Sequence, residues 1–247
     1  MKRKTPWATW SVAALLLAAL LVGGGILAPR MRWYLVARYR GVNADLRGAA
    51  LANAALHGAK LICANLNKAD LHGADLSGSN LASAEMSQTN MAGADLSGAD
   101  FSGAGCINAN LVGARLRGAI GRPCNFGGTN LSNADLTGAD LTGGLLGSVN
   151  LSGARMNGAV CRRAGLDRAD LRGASLRRAD LRQVWLWNTD LREADFRGAD
   201  LRRADLRGAD LRSPSLSGAR LQGAIYDAKT RWPIGYDPQR HGARLSR

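Results

Sequence analysis

The sequence has few of the side chains that build catalytic and metal sites. Its 247 residues include three histidines, His57, His72 and His241, and four cysteines without a Cys-x-x-Cys spacing. Acid–base, nucleophilic and metal chemistry all need several such groups to converge in one pocket. The composition therefore argues against an enzyme and predicts neither a metal site nor a cofactor.

The body of the chain also lacks the helical period of 3.6 residues and the strand period of two. Instead, 36 positions at five-residue intervals, from Leu46 to Leu221, hold 27 Leu, three Met, three Phe, two Cys and one Gly. The residue two places earlier is Ala in 27 of the 36 units, and the residue two places later is Gly in 19. Because a five-residue period fits no regular helix or strand, the chain has to turn in every unit.

Two stretches of this pattern carry a family resemblance. The runs ADLSGADFSGA, from Ala94 to Ala104, and ADLRGASLRRADLR, from Ala169 to Arg182, resemble the pentapeptide repeat family. The resemblance implies an all-β fold for residues 44–223, a right-handed quadrilateral β-helix with four units in each square coil. At that ratio the 36 units make about nine coils, which at the spacing of hydrogen-bonded strands form a rod of about 43 Å.

A coil of 20 residues predicts which inward side chains stack on one another. Phe101 falls beside Gly121, and Phe126 falls beside Cys106, so each large ring has an undersized neighbour. A core packed to crystal-like density requires this compensation of volume. The segment Gly121–Cys124, which contains Pro123, is predicted to be the main local distortion of the coil.

The same register places the four cysteines. Cys106, Cys124 and Cys161 should point inward as small buried hydrophobic residues, whereas Cys63 should point outward. Cys106 and Cys124 fall on adjacent coils, which leaves a disulfide between them open in an oxidising compartment.

The N-terminus is different in character. Residues 1–6 are a basic tail, and residues 7–28 are an uncharged, mostly apolar stretch of 22 residues. As a helix this stretch spans about 33 Å, enough for the hydrocarbon core of a bilayer. It is longer than the apolar region of a cleaved signal peptide, which is the alternative, so we predict an uncleaved transmembrane α-helix that acts as a signal anchor.

Residues 29–43 are then a basic juxtamembrane linker. A short basic tail ahead of a first span tends to stay in the cytoplasm. This favours a single-pass cell-membrane protein whose repeat domain lies outside the cytoplasm.

Residues 224–247 break the five-residue register and bring in Tyr226, Trp232 and Tyr236. They resemble the closing segment of many pentapeptide repeat proteins. We expect this C-terminal segment to cover the last coil and block end-to-end stacking of its backbone. A homo-oligomer formed through the tail stays open, since nothing in the residues requires it.

The net charge of +14 is spread unevenly along the chain. Residues 1–43 contribute +7, residues 44–159 contribute −1, residues 160–223 contribute +5 and residues 224–247 contribute +3. The best understood members of the family inhibit DNA gyrase by imitating DNA with an acidic rod. A neutral to basic rod cannot present the negative potential that such mimicry needs, so we do not expect that activity here.

All basic residues of the segment 160–223 are arginines, and many lie directly after an inward residue. Stacking predicts two outward columns, Arg162, Arg182 and Arg202 in one and Arg172, Arg192 and Arg212 in the other. Asp residues interleave with these arginines, which favours a lattice of surface ion pairs worth about 0–1 kcal/mol each. The alternative is a basic face for phosphate, acidic glycans or lipid headgroups.

Trp185 and Trp187 interrupt that pattern. They flank the inward Leu186, so both should point outward from one face, with Gly165 one coil away and Leu145 two coils away in the same column as Trp185. Exposed tryptophans on a polar rod indicate a protein-interaction patch, because Trp is favoured at interfaces. The alternative is that the C-terminal tail folds back and covers them.

The sequence as a whole therefore predicts a non-enzymatic, membrane-tethered scaffold. Its expected partner is a protein of unknown identity that contacts Leu145, Trp185 and Trp187. The alternative is a rod that binds a polyanion, such as acidic lipid, glycan or nucleic acid, through its arginine columns. Nucleic acid is the least favoured of these ligands, because half of the basic excess flanks the predicted membrane span.

Overall fold

A computed structural model describes residues 29–212 and 214–246. The basic tail 1–6 and the membrane span predicted for residues 7–28 lie outside these residues. Within the described part of the chain, no helix combines the length and the apolar character needed to cross a bilayer.

The five-residue units wind into coils of 20 residues, as the sequence predicts. Parallel bridges occur at every fifth residue, from the pair Asp45 and Asn65 onward, and each joins positions one coil apart. The Leu46 N–H donates to the Asn65 carbonyl at 2.7 Å, and the Asn65 N–H donates to the Ala44 carbonyl at 2.9 Å. The backbone of each coil is therefore satisfied mainly by its neighbours, and four units complete one turn of the solenoid.

Each corner of the coil is a tight turn. In the first complete unit the Ala49 N–H donates to the Leu46 carbonyl at 3.0 Å, and Gly48 between them has φ of 62°. A positive φ confined to the third residue is the mark of a type II turn. Among the described residues, sixteen that are not glycine, including Cys63 and Arg163, take a positive φ at the same position of their units. The coil thus imposes this conformation even where the side chain disfavours it.

The axis is filled by the inward Leu, Met and Phe side chains, with Ala packed beside them. Phe101 contacts Phe126 edge to face, with 5.5 Å between ring centroids. A Cβ on Gly121 would lie 2.5 Å from Cε2 of Phe101, so only glycine fits below that ring. The predicted compensation of volume between Phe101 and Gly121 is confirmed.

The predicted distortion at Gly121–Cys124 is also confirmed. Pro123 occupies the turn position that needs a positive φ, which its ring forbids. The ladder shifts by one residue in response, because the Gly103 N–H donates to the carbonyl of Pro123 instead of that of Arg122. The neighbouring Gly98 N–H keeps the regular partner, the Arg117 carbonyl, at 2.8 Å.

The N-terminal end of the rod is closed by a helix, α1, at Pro29–Tyr39. The sequence did not predict a helix within the basic linker of residues 29–43, and α1 forms there because an open coil end would expose the leucine core. Tyr34 and Ala37 lie on one side of α1 and are buried against that core. A Cβ on Gly41 would lie 2.6 Å from the Lys60 carbonyl oxygen, so glycine allows α1 to join the first coil closely.

The C-terminal end is closed as predicted, although the ladder extends beyond residue 223. Strand β1, Ile225–Tyr226, pairs in parallel with strand β2, Arg244–Leu245, and a 3₁₀ helix at Gln239–His241 precedes β2. Arg231 bridges to Asp210, 21 residues away instead of 20, so one residue is inserted in this last coil. An aromatic stack then covers the end of the core, and its members are Tyr226, Trp232, Tyr236 and His241.

Candidate interaction surfaces

Most arginines that lie directly after an inward residue in the segment 160–223 pair with the Asp of their own unit. In one example, Arg192 donates from Nε and Nη2 to the two carboxylate oxygens of Asp190, at 2.9 and 2.6 Å. The same two-pronged pair is formed by Arg172, Arg182, Arg197, Arg202, Arg207 and Arg212. The ion-pair lattice expected from the sequence is therefore present.

Two arginines have no Asp in their own unit and reach across to the next coil. Nε of Arg162 lies 2.6 Å from Asp180, and Nε of Arg177 lies 2.5 Å from Asp195. Each of these carboxylates thus serves two arginines. Partial burial by itself raises the pKa of Asp180, but hydrogen bonds from Arg182 and Arg162 outweigh it and lower that pKa to about 2.

The two predicted arginine columns lie on faces of different charge. Six arginines and two aspartates give a net charge of +4 to the face here named the arginine face, residues 159–163, 179–183, 199–203 and 219–223. Three arginines, three aspartates and Glu193 give −1 to the face here named the mixed face, residues 169–173, 189–193 and 209–212. Only the column of Arg162, Arg182 and Arg202 therefore belongs to a basic surface.

A shallow groove runs along the arginine face. It is lined by two columns, Arg162, Arg182 and Arg202 in one and Arg163, Gln183 and Arg203 in the other, with Thr142 and Gln222 at its ends. The second column was not predicted from the sequence, because these residues occupy the turn position, where a mixture of residue types hides the pattern. The available signal was their place in the turn, where φ is 56° for Arg163 and 59° for Arg203.

The tryptophans point outward from one face, as predicted. Trp185 is 51% exposed, Trp187 is 39% exposed and Leu145 is 54% exposed. Cε3 of Trp185 lies 3.5 Å from the position of a Cβ on Gly165, so the indole lies over that glycine on the side of Leu145. The described residues of the C-terminal tail do not cover this surface, which we name the tryptophan patch (Leu145, Trp185 and Trp187).

The cysteines take the predicted orientations. Cys106, Cys124 and Cys161 are buried, Cys63 is exposed, and all four are free thiols. Burial raises the pKa of Cys106 and of Cys161 to about 12, which leaves both protonated at neutral pH. Among the residues that the structure describes, no group of three or more His, Cys, Asp or Glu side chains could hold a metal ion.

The repeat architecture matches a known family. The model of the family "Pentapeptide repeats" matches in eight copies, over residues 42–78, 79–118, 122–153, 145–183 and 189–225. The chain is a pentapeptide repeat protein. The family adopts a right-handed β-helix, which is the fold of the coils described above.

Solved pentapeptide repeat proteins resemble the chain over different lengths. One of them is HetL from the cyanobacterium Nostoc sp. strain PCC 7120, a protein involved in regulation of heterocyst differentiation. HetL is 30% identical to this chain, with a TM-score of 0.49, and the match covers 78% of this chain and 92% of HetL. QnrB1, a plasmid-mediated fluoroquinolone resistance protein, is 19% identical, with a TM-score of 0.49 and coverage of 76% and 89%.

A third relative, from the thylakoid lumen of Arabidopsis thaliana, is 30% identical, with a TM-score of 0.33 and coverage of 42% and 69%. No match was found among curated protein sequences.

Proposed function

We propose that this pentapeptide repeat protein is a non-enzymatic scaffold, tethered to a membrane by residues 7–28, that binds a protein partner through the tryptophan patch. The exposure of Trp185 and Trp187 on an otherwise polar rod is the observation that carries the proposal. Tryptophan is over-represented among the residues that dominate binding energy at protein interfaces. In this proposal the repeat domain and its protein partner lie outside the cytoplasm.

The geometry of the patch supports a role in contact with a folded surface. Trp185 lies over Gly165, so its ring is supported from below by backbone and presents its other side to solvent. Trp187 stands in a column between Asp167 and Arg207 of the neighbouring coils. An apolar centre with charged residues beside it is the usual arrangement of a protein interface, where a polar rim surrounds a hydrophobic core.

The proposal gives the solenoid a structural and not a chemical task. Its interior is occupied by packed side chains, and its outward residues repeat as ladders. A stacked coil holds such ladders at fixed spacing, because each coil is hydrogen-bonded to its neighbours. A rigid rod of this kind is suited to presenting a surface at a defined distance from its anchor.

Site-directed photo-crosslinking tests the proposal. A photoreactive amino acid placed at Leu145, at the edge of the patch, should form an adduct with one partner protein in native membranes. The double variant Trp185→Ser/Trp187→Ser should lose at least about 90% of that adduct, in line with the energy that buried interface tryptophans contribute.

The matched control is Ile107→Ser/Ile120→Ser, which removes two exposed apolar side chains, each 40% exposed, on other coils. This variant should keep the adduct. Adducts that survive loss of both tryptophans, or no adduct from position 145, would contradict the proposal. Fractionation of the chain with and without residues 1–28 tests the tether separately, since only the complete chain should remain with the membrane.

A further inference from the structure

The basic excess of residues 160–223 is concentrated on part of the rod. The arginine face carries +4, and the adjoining face that contains Arg177, Arg178, Asp195 and Arg197 carries +2. The other two faces of the same coils carry 0 and −1. Because like positions stack directly from coil to coil, the surplus forms a strip along the rod axis and not a diffuse cloud.

On the arginine face, two arginines are not neutralised by the ion-pair lattice. Nε of Arg163 donates to the amide oxygen of Gln183 at 2.9 Å, which is a neutral partner. Arg203 has no acidic partner among the described residues, and its aliphatic stem lies over Gly223, with Cγ 3.5 Å from the position of a Cβ there. Both guanidinium groups are therefore available to an anion that lies in the groove.

The positions of these two arginines carry a backbone cost. Both take a positive φ, a region in which glycine is favoured and any other side chain strains the backbone. An asparagine or glycine would fit the turn with less strain, as Asn188 and Gly208 do on the next face. The charge in the groove is thus obtained at the expense of local stability.

The residues that line the groove exclude some classes of ligand. It contains no aromatic side chain on which bases could stack, and no large apolar side chain that could enter a bilayer. Its cationic groups alternate with the neutral amides of Gln183 and Gln222 and the hydroxyl of Thr142, which donate to and accept from hydroxyl groups. A chain that carries both acidic groups and hydroxyls fits this combination.

The distance between successive coils favours the same class of ligand. Coils succeed one another at about 4.8 Å, so the arginine columns offer cationic positions at that interval or at twice that interval. This step is close to the length of one pyranose ring in a polysaccharide, whereas the phosphates of polyphosphate are more closely spaced. We infer that the groove of the arginine face binds an acidic polysaccharide, with Arg163 and Arg203 contacting its carboxylate or sulfate groups.

The test uses the full chain in detergent and polygalacturonate, which carries one carboxylate on each pyranose ring, as the immobilised probe. The variant Arg163→Gln/Arg203→Gln should bind about tenfold more weakly, because two charge-assisted contacts are lost. Gln183 already occupies the same turn column with φ of 59°, so glutamine is compatible with the coil at both positions. The melting temperature should therefore stay close to that of the wild type.

The matched control is Arg172→Gln/Arg212→Gln, which removes the same charge from the mixed face and should change affinity less than twofold. Equal losses in the two double variants would overturn the inference, since they would show a response to net charge alone. Tighter binding to polyphosphate, to single-stranded DNA or to anionic vesicles than to polygalacturonate would overturn the assignment of ligand class. If Arg163→Gln/Arg203→Gln kept the wild-type affinity, the groove would not be the binding site.

Discussion

In the N-terminal coils, residues 44–143, the Asp before an inward residue is often satisfied by a neutral partner, whereas in the C-terminal coils, residues 160–223, the partner is usually arginine. Oγ of Ser77 donates to Asp75 at 2.6 Å, and its backbone N–H donates to the same oxygen at 3.0 Å. Arg202 occupies the equivalent place in its unit and donates to both oxygens of Asp200. One backbone position thus supports two kinds of surface.

The solenoid therefore separates its fold from its surface chemistry. The turn needs only a side-chain oxygen that accepts a hydrogen bond from the backbone N–H two residues later. Asp75 provides it for Ser77, and Asp200 provides it for Arg202. The side chain of the residue after the inward position is then free to be a hydroxyl or a guanidinium. The core is less regular in the N-terminal coils, which have Phe101 and Gly121 at inward positions. Leucine and one phenylalanine fill the same positions of the C-terminal coils from Leu166 onward.

The largest effect is expected from the core irregularity of the N-terminal coils. Gly121→Leu would restore the inward leucine that most units have, but its Cβ would lie 2.5 Å from Cε2 of Phe101. Overpacking of this kind should lower the free energy of unfolding by about 3 kcal/mol, measured as a shift of the urea midpoint. The double variant Gly121→Leu/Phe101→Leu should recover most of the loss. A cost below about 1 kcal/mol for Gly121→Leu would show that the coil can absorb the extra volume.

The inward residues could be predicted from the five-residue period, because two side chains in five are fixed by the core, and the coil of four units was implied by the family resemblance. The exposure of Trp185 and Trp187 could be predicted from the same register. The second column of the groove could not be found in this way, since Arg163 and Arg203 occupy turn positions that tolerate many residue types. The α1 cap was missed because its buried side chains, Tyr34 and Ala37, lie within a basic segment that has no five-residue pattern.

The second largest effect is expected from acid, which should destabilise the C-terminal coils more than the N-terminal coils. Hydrogen bonds from arginine hold the pKa of Asp195 well below its usual range, and that of Asp180 is lowered to about 2. The unfolded chain binds these protons at a pH near 3.9, so the stabilisation is complete above about pH 5 and is lost as the pH falls toward 2. The two sites together should account for about 2 kcal/mol, after allowance for solvent screening.

Pepsin is active throughout this pH range, so its cleavage sites can show which coils lose stability. Cleavage mapped by mass spectrometry at pH 4 and at pH 2 should increase most in the coils that contain Asp180 and Asp195. Cleavage that increases equally in the coil of Asp75 would show that the arginine pairs do not set the acid response.

The smallest effect expected is that of a single carboxylate, and it compares the two regions directly. Asp180→Asn removes the charge shared by Arg162 and Arg182 and should lower the free energy of unfolding by about 1 kcal/mol. Asp75→Asn should change it by less than about 0.5 kcal/mol, because an amide oxygen can accept the same two bonds. The chain contains this arrangement already, since Oγ of Ser152 donates to Asn150 at 2.7 Å. Urea midpoints at low and at high salt measure both changes, and only the cost of Asp180→Asn should shrink as salt screens the charges. Equal costs for the two variants would mean that backbone hydrogen bonding, and not the guanidinium, determines what each Asp contributes.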